Sequence, residues 1–181
     1  MISALALCVM ASGQYQNHNN MSNNKTLVAY FSATGTTMEA AAQLAQAANA
    51  DLHEIVPQTL YTPADLNWQN KKSRSSVEMA DKSSRPAIAN RVDNMEQYDT
   101  VFVGFPIWWY IAPTIINTFL EQYDFAGKTI IPFFTSGGSG AGETLNYLKP
   151  SAPDAFWVSP KSLNYMSIDE MKSWVESLVN N

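Results

Sequence analysis

The sequence has few of the residues from which disulfides and metal sites are built. Cys8 is the only cysteine, which excludes an intramolecular disulfide and a cluster of cysteine ligands around a metal. The two histidines, His18 and His53, are too few for a histidine-based metal site. No apolar run approaches the ~18 residues that a membrane-spanning helix needs. We therefore expect no disulfide, no metal ligands and no membrane-spanning segment.

Positive charge is also scarce, and it is unevenly distributed. The formal net charge is −5, an acidic balance that argues against nucleic-acid binding. Residues 71–91, however, contain six Lys and Arg against two Asp and Glu, a local charge of +4. Charge runs are usually solvated, but this basic segment is also a candidate docking site for an acidic partner protein or the 2′-phosphate of NADPH. The cations concerned are Lys71, Lys72, Arg74, Lys82 and Arg85.

Three motifs of other enzyme classes are absent or incomplete. The first predicted βα turn lacks the G-x-G-x-x-G pattern of dinucleotide-binding folds. The segment from Gly137 to Ala141 is similar to a hydrolase nucleophile elbow, which requires a later histidine, yet none follows His53. The segment from Gly127 to Thr129 ends like a P-loop, but the upstream glycine is missing and a strand is predicted next. We therefore set these three functions aside.

Residues 1–24 differ in composition from the rest of the chain. The apolar run from Ile2 to Ala11, followed by small residues, is typical of a secretory signal, but no Lys or Arg precedes it. A start at Met21 is an alternative, because the folded pattern begins directly after it. We expect residues 1–24 to be a leader or a tail and residues 25–181 to form the domain. The protein is expected in the cytoplasm, or exported if the apolar run is a signal peptide.

The chain is organised around the stretch from Lys25 to Thr37. Its β-branched and aromatic residues predict a buried strand, which ends in hydroxyl residues around one glycine. A helical pattern follows, with a predicted apolar face of Met38, Ala41, Ala42, Ala45 and Ala48. Free N–H groups and the dipole at a helix start favour an anion, although hydroxyl residues here also suit simple helix capping. The predicted phosphate loop is Ser32, Ala33, Thr34, Gly35, Thr36 and Thr37, without any cation.

Five predicted strands alternate with helices. After the first strand, the others are predicted at 52–56, 101–105, 129–134 and 156–158. Such alternation predicts a parallel sheet with right-handed crossovers and helices on both faces. Residues 58–97 form a polar excursion, too polar to be a second domain. Capping boxes at Ser75–Glu78 and Ser167–Glu170 predict a short helix in the excursion and the start of the last helix.

Two more unusual loops follow the third and fourth strands, at the same sheet edge as the phosphate loop. Such an edge, at a topological switch point, is where ligands bind in doubly wound sheets. The first loop is Pro106, Ile107, Trp108, Trp109 and Tyr110, whose aromatic rings suit a planar heterocycle. We expect Trp108 to contact it, with Trp109 and Tyr110 behind, unless one of these two only packs a helix onto the sheet. The other loop is Thr135, Ser136, Gly137, Gly138, Ser139 and Gly140, whose glycines expose N–H donors.

These three segments resemble the flavodoxin family. Ser32-x-Thr34-Gly35-x-Thr37 is similar to its phosphate loop, and residues 106–110 and 135–142 are similar to its two isoalloxazine-binding loops. The resemblance extends from Lys25 to the C-terminus and is closest to the longer bacterial flavodoxins and flavodoxin-like reductases. It implies a flavodoxin-like doubly wound five-stranded parallel sheet of order 2-1-3-4-5. It also implies noncovalent FMN as the cofactor.

Two departures from the family pattern bear on function. Many one-electron flavodoxins have a glycine near the flavin N5, where the peptide turns to stabilise the one-electron-reduced form, and residues 107–109 contain none. The third loop also lacks the tyrosine that often covers the other flavin face, which leaves that face open. Both favour a small FMN-dependent oxidoreductase that passes electrons from NAD(P)H to a quinone-like acceptor. The alternatives are a flavodoxin that carries single electrons between partner proteins, and a partner-binding protein without flavin. No catalytic side chain is predicted, and a homodimer stays open.

Overall fold

The buried strands form one parallel sheet. The structure is a computed structural model that describes residues 25–179. The strands are β1 (Lys25–Tyr30), β2 (Asp51–Glu54), β3 (Tyr98–Pro106), β4 (Thr129–Thr135), β5 (Phe156–Trp157) and β6 (Lys161–Ser162). Their order is β2-β1-β3-β4-β5, with every pair parallel, so the predicted flavodoxin-like order is confirmed.

Helices cover both faces of this sheet. They are α1 (Thr36–Ala48), α2 (Arg74–Ala80), α3 (Ile115–Leu120), α4 (Thr144–Leu148) and α5 (Ile168–Val179). Alternate residues of β1 point to opposite faces, as in any strand. Leu27 and Ala29 join a cluster with α3 and α4, whereas Val28 and Tyr30 join a cluster with α1 and α5. The sheet is therefore buried between two apolar layers, and this holds the carboxyl ends of β1, β3 and β4 rigidly side by side.

The predicted apolar face of α1 is partly wrong. Ala41 and Ala45 are buried as expected, but Met38 is 43% exposed and Ala42 is exposed as well. The face that packs on the sheet consists of Thr37, Ala40, Ala41, Leu44 and Ala45. In so alanine-rich a segment the helical period fits more than one face, and each face has one large apolar side chain, Met38 on the predicted face and Leu44 on the buried one.

One predicted capping box is confirmed and the other is wrong. At α5 the N–H of Ser167 donates to Glu170 at 2.7 Å, and the N–H of Glu170 donates back to the Ser167 hydroxyl at 3.3 Å. At α2 the cap is Ser73, not Ser75, and its hydroxyl oxygen accepts from the N–H of Ser76. Ser75 lies inside the first turn, fully buried, because its hydroxyl donates to the carbonyl of Asp65 at 2.6 Å.

The short strand β6 was not predicted. It pairs with the end of β4, Lys161 beside Phe133 and Ser162 beside Phe134, beyond the two residues that β5 covers. Two residues show no alternation of apolar and polar side chains, and Pro160 directly before them indicates a break. This strand is what brings residues 163–168 to the carboxyl edge of the sheet.

Three further expectations concern the predicted leader, membrane-spanning helices and metal ligands. The predicted leader, residues 1–24, lies outside the described residues. Within residues 25–179, no helix combines the length and apolar character needed to cross a membrane. The same part of the chain contains no group of His, Cys, Asp or Glu side chains arranged to hold a metal ion.

Candidate functional site

The loop after β1 leaves free donors at the start of α1. Gly35 occupies the N-cap with φ 94°, a conformation that favours glycine, and no side chain caps the helix. The N–H of Gly35 donates to the Ser32 hydroxyl at 3.1 Å. The next three N–H groups, of residues 36–38, have no acceptor among the described residues. Together with the helix dipole they form a neutral anion site.

The hydroxyl groups around this anion site divide into two sets. Thr37 and Thr135 are buried, and their hydroxyl oxygens are 2.8 Å apart in a hydrogen bond that ties the first loop to the third. Thr34 and Thr36 are exposed, so their hydroxyls are free to reach a ligand. Thr37 and Thr135 therefore position the loops through their side chains, whereas Thr34 and Thr36 are the hydroxyls available to a phosphate.

The loop after β3 is a two-residue hairpin with an unusual sequence. The N–H of Trp108 donates to Ile111 at 2.9 Å, and the N–H of Ile111 donates back at 3.1 Å. Between them Trp109 and Tyr110 have φ values of 46° and 68°, the pattern of a type I′ turn. Such turns normally use Asn and Gly, because bulky side chains are strained at positive φ.

The three aromatic residues of this loop do not lie where the sequence indicated. Trp109 and Tyr110 are 40% and 73% exposed at the tip of the turn rather than behind Trp108. Trp108 is the half-buried member, and its ring packs edge-on against Phe31 at 5.6 Å and Tyr61 at 5.3 Å between ring centroids. The sequence predicts aromatic side chains here, but the turn reverses which of them is outermost.

Tyr61 belongs to the polar excursion and was missed by the sequence analysis. Its hydroxyl donates to Glu78 at 2.5 Å, and the guanidinium of Arg74 lies 4.0 Å from its ring centroid. Arg74 also pairs with Glu78 at 2.7 Å. Burial, together with the hydrogen bond and charge of Glu78, raises the pKa of Tyr61 far above its usual range. The phenol stays protonated and holds the excursion against Trp108.

The loop after β4 is held in place by a residue that no sequence pattern indicated. The side chain of Asn164, which follows β6, accepts from the N–H of Ser136 at 3.0 Å and donates to its carbonyl at 2.7 Å. The Ser136 hydroxyl in turn donates to the carbonyl of Ser139 at 2.6 Å and accepts from the N–H of Gly138 at 3.2 Å. This network sets the conformation of the glycine-rich loop.

The third loop also packs directly on the second. A Cβ atom on Gly142, where φ is 51°, would lie 2.3 Å from the carbonyl oxygen of Tyr110. Two residues past this contact point, the hydroxyl of Thr144 at the start of α4 accepts from the N–H of Ala112 at 3.1 Å. Gly142 and Thr144 therefore support the aromatic turn through contacts with the backbone at Tyr110 and Ala112. Neither belongs to the predicted set of ligand-binding residues.

Parts of all three loops meet around one cavity of about 730 Å³. This volume is in the range of small-molecule sites. Of the predicted residues, the lining includes Ala33, Thr34, Pro106, Ile107, Trp108, Trp109, Tyr110, Gly137 and Ser139. Thr36, Thr135 and Ser136 instead line a neighbouring groove of about 680 Å³ between α1 and residues 163–168. Predicted residues that line neither space are Ser32, Gly35, Thr37, Gly138 and Gly140.

Comparison with known proteins identifies the family to which this arrangement belongs. A family model described as Flavodoxin matches residues 25–178. The chain belongs to the flavodoxin family. The family predicted from the sequence is thereby confirmed, and FMN is the cofactor that membership of it indicates. No curated protein matches the sequence significantly.

Solved structures of similar proteins give the same result. A protein from Bacteroides eggerthii, assigned as a flavoprotein, is 50% identical with a TM-score of 0.82 and covers 87% of this chain and 99% of its own. A similarly assigned protein from Bacteroides uniformis is 50% identical, with a TM-score of 0.81 and coverages of 84% and 98%. A flavoprotein from Lactobacillus acidophilus in complex with FMN is 20% identical, with a TM-score of 0.64 and coverages of 83% and 98%. That last likeness shows a shared fold.

The polar excursion contributes a wall to the cavity. Leu66, Trp68 and Ser75 line it beside the three loops, and Trp68 is 71% exposed at its mouth. The sequence indicated an open face where the third loop lacks a tyrosine. The excursion brings a different aromatic residue to the same cavity, from a position about 70 residues earlier in the chain.

Most of the cations proposed for partner docking make contacts within the domain itself. Arg85 makes two hydrogen bonds to Glu121, at 2.8 and 2.9 Å, and these hold the pKa of that carboxyl below its usual value. Arg74 pairs with Glu78, and Lys82 donates to the carbonyl of Met79. The two remaining cations, Lys71 and Lys72, are exposed, and their side chains make no hydrogen bond within residues 25–179.

Proposed function

We propose that this chain binds FMN with its phosphate at the start of α1 and its ring system in the 730 Å³ cavity. The supporting observation is the continuity of the two sites: Thr34 lines the cavity and directly precedes the N-cap glycine of the anion site. Three unpaired N–H groups suit a single terminal phosphate, and the half-buried Trp108 offers an aromatic wall to a planar ring. When bound, FMN supplies the capacity to accept and donate electrons or a hydride.

The phosphate site is tested by replacing Thr34 with leucine. The substitution removes an exposed hydroxyl and adds apolar bulk beside the free N–H groups. A hydrogen bond to a charged group is worth about 1.5–3 kcal/mol, so we expect FMN affinity to fall about 10- to 100-fold. Titration calorimetry with FMN and with riboflavin measures this. Riboflavin, which has no phosphate, is the matched control, and equal losses for the two ligands would contradict the assignment.

We further propose that the protein is a small FMN-dependent oxidoreductase that passes electrons from NAD(P)H to a quinone-like acceptor. The observation that carries this is the strained turn. Rotating the peptide between Trp109 and Tyr110 converts a type I′ turn into a type II′ turn, whose first central residue must be glycine. Trp109 occupies that position. A backbone carbonyl here is therefore costly to turn toward the flavin N5, which favours two-electron over one-electron chemistry.

A second candidate is a flavodoxin that carries single electrons between proteins. It is favoured by the exposed aromatic side chains of Trp68, Trp109 and Tyr110 around the cavity mouth. Exposed aromatic residues are typical of surfaces that bind other proteins.

Stepwise anaerobic reduction of the FMN-loaded protein separates these two functions. We expect conversion from oxidised to fully reduced flavin with little of the one-electron-reduced form, together with NAD(P)H oxidation that depends on added quinone. Two glycine variants form a matched pair. Trp109→Gly permits the type II′ turn and should increase the one-electron-reduced fraction, whereas Tyr110→Gly favours type I′ and should not. An abundant one-electron-reduced form in the native protein, without NAD(P)H turnover, would make it an electron carrier.

A further inference from the structure

A second groove lies on the other side of the Trp109–Tyr110 turn. It has a volume of about 240 Å³ and is lined by both aromatic residues of the turn and by Lys82, Glu143 and Tyr147. Because the turn belongs to the lining of both spaces, the groove adjoins the FMN cavity across these two side chains. Its volume is below that of most complete ligand sites, so it suits one end of a molecule that extends into the larger cavity.

Lys82 is held in this groove rather than free in solvent. Its ammonium donates to the carbonyl of Met79 at 2.5 Å and lies 5.7 Å from the ring centroid of Tyr147. An ammonium has three donors, and the other two have no acceptor within residues 25–179. No other Lys or Arg of the described chain lines this groove, the FMN cavity or the groove beside α1. Lys82 is thus the one positioned cation at the site.

Three aromatic side chains line the groove together with this cation. Trp109, Tyr110 and Tyr147 are 40%, 73% and 39% exposed, so each offers part of a ring to a ligand. Aromatic faces bind planar apolar groups, and an ammonium with free donors binds an oxyanion. Partial burial lowers the pKa of Lys82, so an anion in the groove would stabilise its charged form. Glu143 also lines the groove, so the site has one charge of each sign, and the carboxylate of Glu143 repels a bound anion.

We infer that this groove is a subsite for the electron acceptor, and that it binds the anionic end of a planar aromatic molecule. Lys82 holds the anionic oxygen, and the aromatic side chains of the turn guide the planar part toward the flavin cavity. This assignment rests on the proposed oxidoreductase function, since it concerns the acceptor of that reaction. If the groove binds the acceptor in this way, acidic quinones are preferred over neutral ones.

Direct binding tests the subsite independently of turnover. The FMN-saturated protein is titrated in a calorimeter with anthraquinone-2-sulfonate and with the neutral anthraquinone-2-sulfonamide. We expect the sulfonate to bind more tightly, and Lys82→Met to weaken the sulfonate about 10- to 100-fold while leaving the sulfonamide unchanged. Glu143→Gln should strengthen the sulfonate about 2- to 5-fold. Both changes should shrink at about 1 M salt, where the Debye length is about 3 Å.

Two control variants separate a local effect from a general one. Lys82→Arg keeps the charge and should retain sulfonate binding, and unchanged sulfonamide binding by Lys82→Met shows that its loss of sulfonate binding is not a folding defect. Lys71→Met removes an exposed cation of the same basic segment and should leave binding unchanged. Equal losses for sulfonate and sulfonamide, or equal losses in Lys71→Met and Lys82→Met, would overturn the subsite. Because no electrons are transferred in these titrations, a failure of NAD(P)H turnover would overturn the proposed function alone.

Discussion

Replacing Gly104 with alanine is expected to destabilise the fold by at least about 3 kcal/mol. Gly104 lies in the middle of the sheet on β3, in register with Phe133 of β4, whose side chain is fully buried. A Cβ atom at residue 104 would lie 2.1, 2.5 and 2.7 Å from three atoms of that ring. The ring has no solvent to move into, so the strands themselves must shift. Against a total stability of about 5–15 kcal/mol, such a loss is large. Urea denaturation measures it.

The cause of this loss can be isolated with two further variants. Adding Phe133→Leu to Gly104→Ala removes the ring that the new methyl group meets, so the double variant should be more stable than the sum of the single changes indicates. Gly137→Ala is the matched glycine control, because its Cβ would meet nothing within 4 Å. If Gly104→Ala unfolds at the same urea concentration as the native protein, the Phe133 ring does not pack tightly against Gly104 and the prediction fails.

The central strands were predictable because they are buried on both faces. Their sequences are nearly continuous apolar runs, at residues 27–31, 101–105 and 130–134. Such runs are typical of strands in a sheet that helices cover on both faces. The sheet edge at which the three loops meet followed from the alternation of strands and helices. The anion site was equally visible, since a strand, a Gly35 loop and a helix start are all local features.

The parts that the sequence could not predict depend on contacts between distant residues. Asn164 fixes Ser136 only because β6 pairs with the uncovered end of β4, and a two-residue strand leaves no periodic signal. Tyr61 and Trp68 reach the site through the fold of the excursion, which no local pattern specifies. The aromatic turn was hidden for the opposite reason, because Trp109 and Tyr110 replace the Asn and Gly that normally mark a type I′ turn.

A turn with unfavourable residues must be held by its surroundings, and here those surroundings belong to the third loop. The backbone pair between Trp108 and Ile111 closes the turn, and Thr144 accepts from the next free N–H, that of Ala112. Gly142 packs so close to the turn that a Cβ atom on it would lie 2.3 Å from the carbonyl oxygen of Tyr110. The cavity in which we propose that FMN binds and the Lys82 groove share this turn, so its support determines the shape of both.

Gly142→Ala is therefore expected to damage ligand binding while leaving the core intact. The new Cβ would lie 2.3 Å from a backbone oxygen, which cannot rotate away as a side chain does, and φ is 51°. Overpacking costs about 1–3 kcal/mol and the left-handed conformation about 1–2 kcal/mol. The strain is relieved if the third loop separates from the second, so we expect FMN affinity to fall about 100-fold. Calorimetric titration with FMN measures the loss, and circular dichroism checks that helices and sheet remain.

Gly140→Ala is the matched control for this effect. It lies in the same loop, its φ is not in the left-handed region, and its added Cβ would meet nothing within 4 Å. Its FMN affinity should stay close to that of the native protein, since of these two glycines only Gly142 lies against the turn. Riboflavin affinity should fall in Gly142→Ala as much as FMN affinity does, because the damage lies at the ring cavity and not at the start of α1. A loss confined to FMN would instead place the effect at the phosphate, and the third loop would not be the support that holds the aromatic turn.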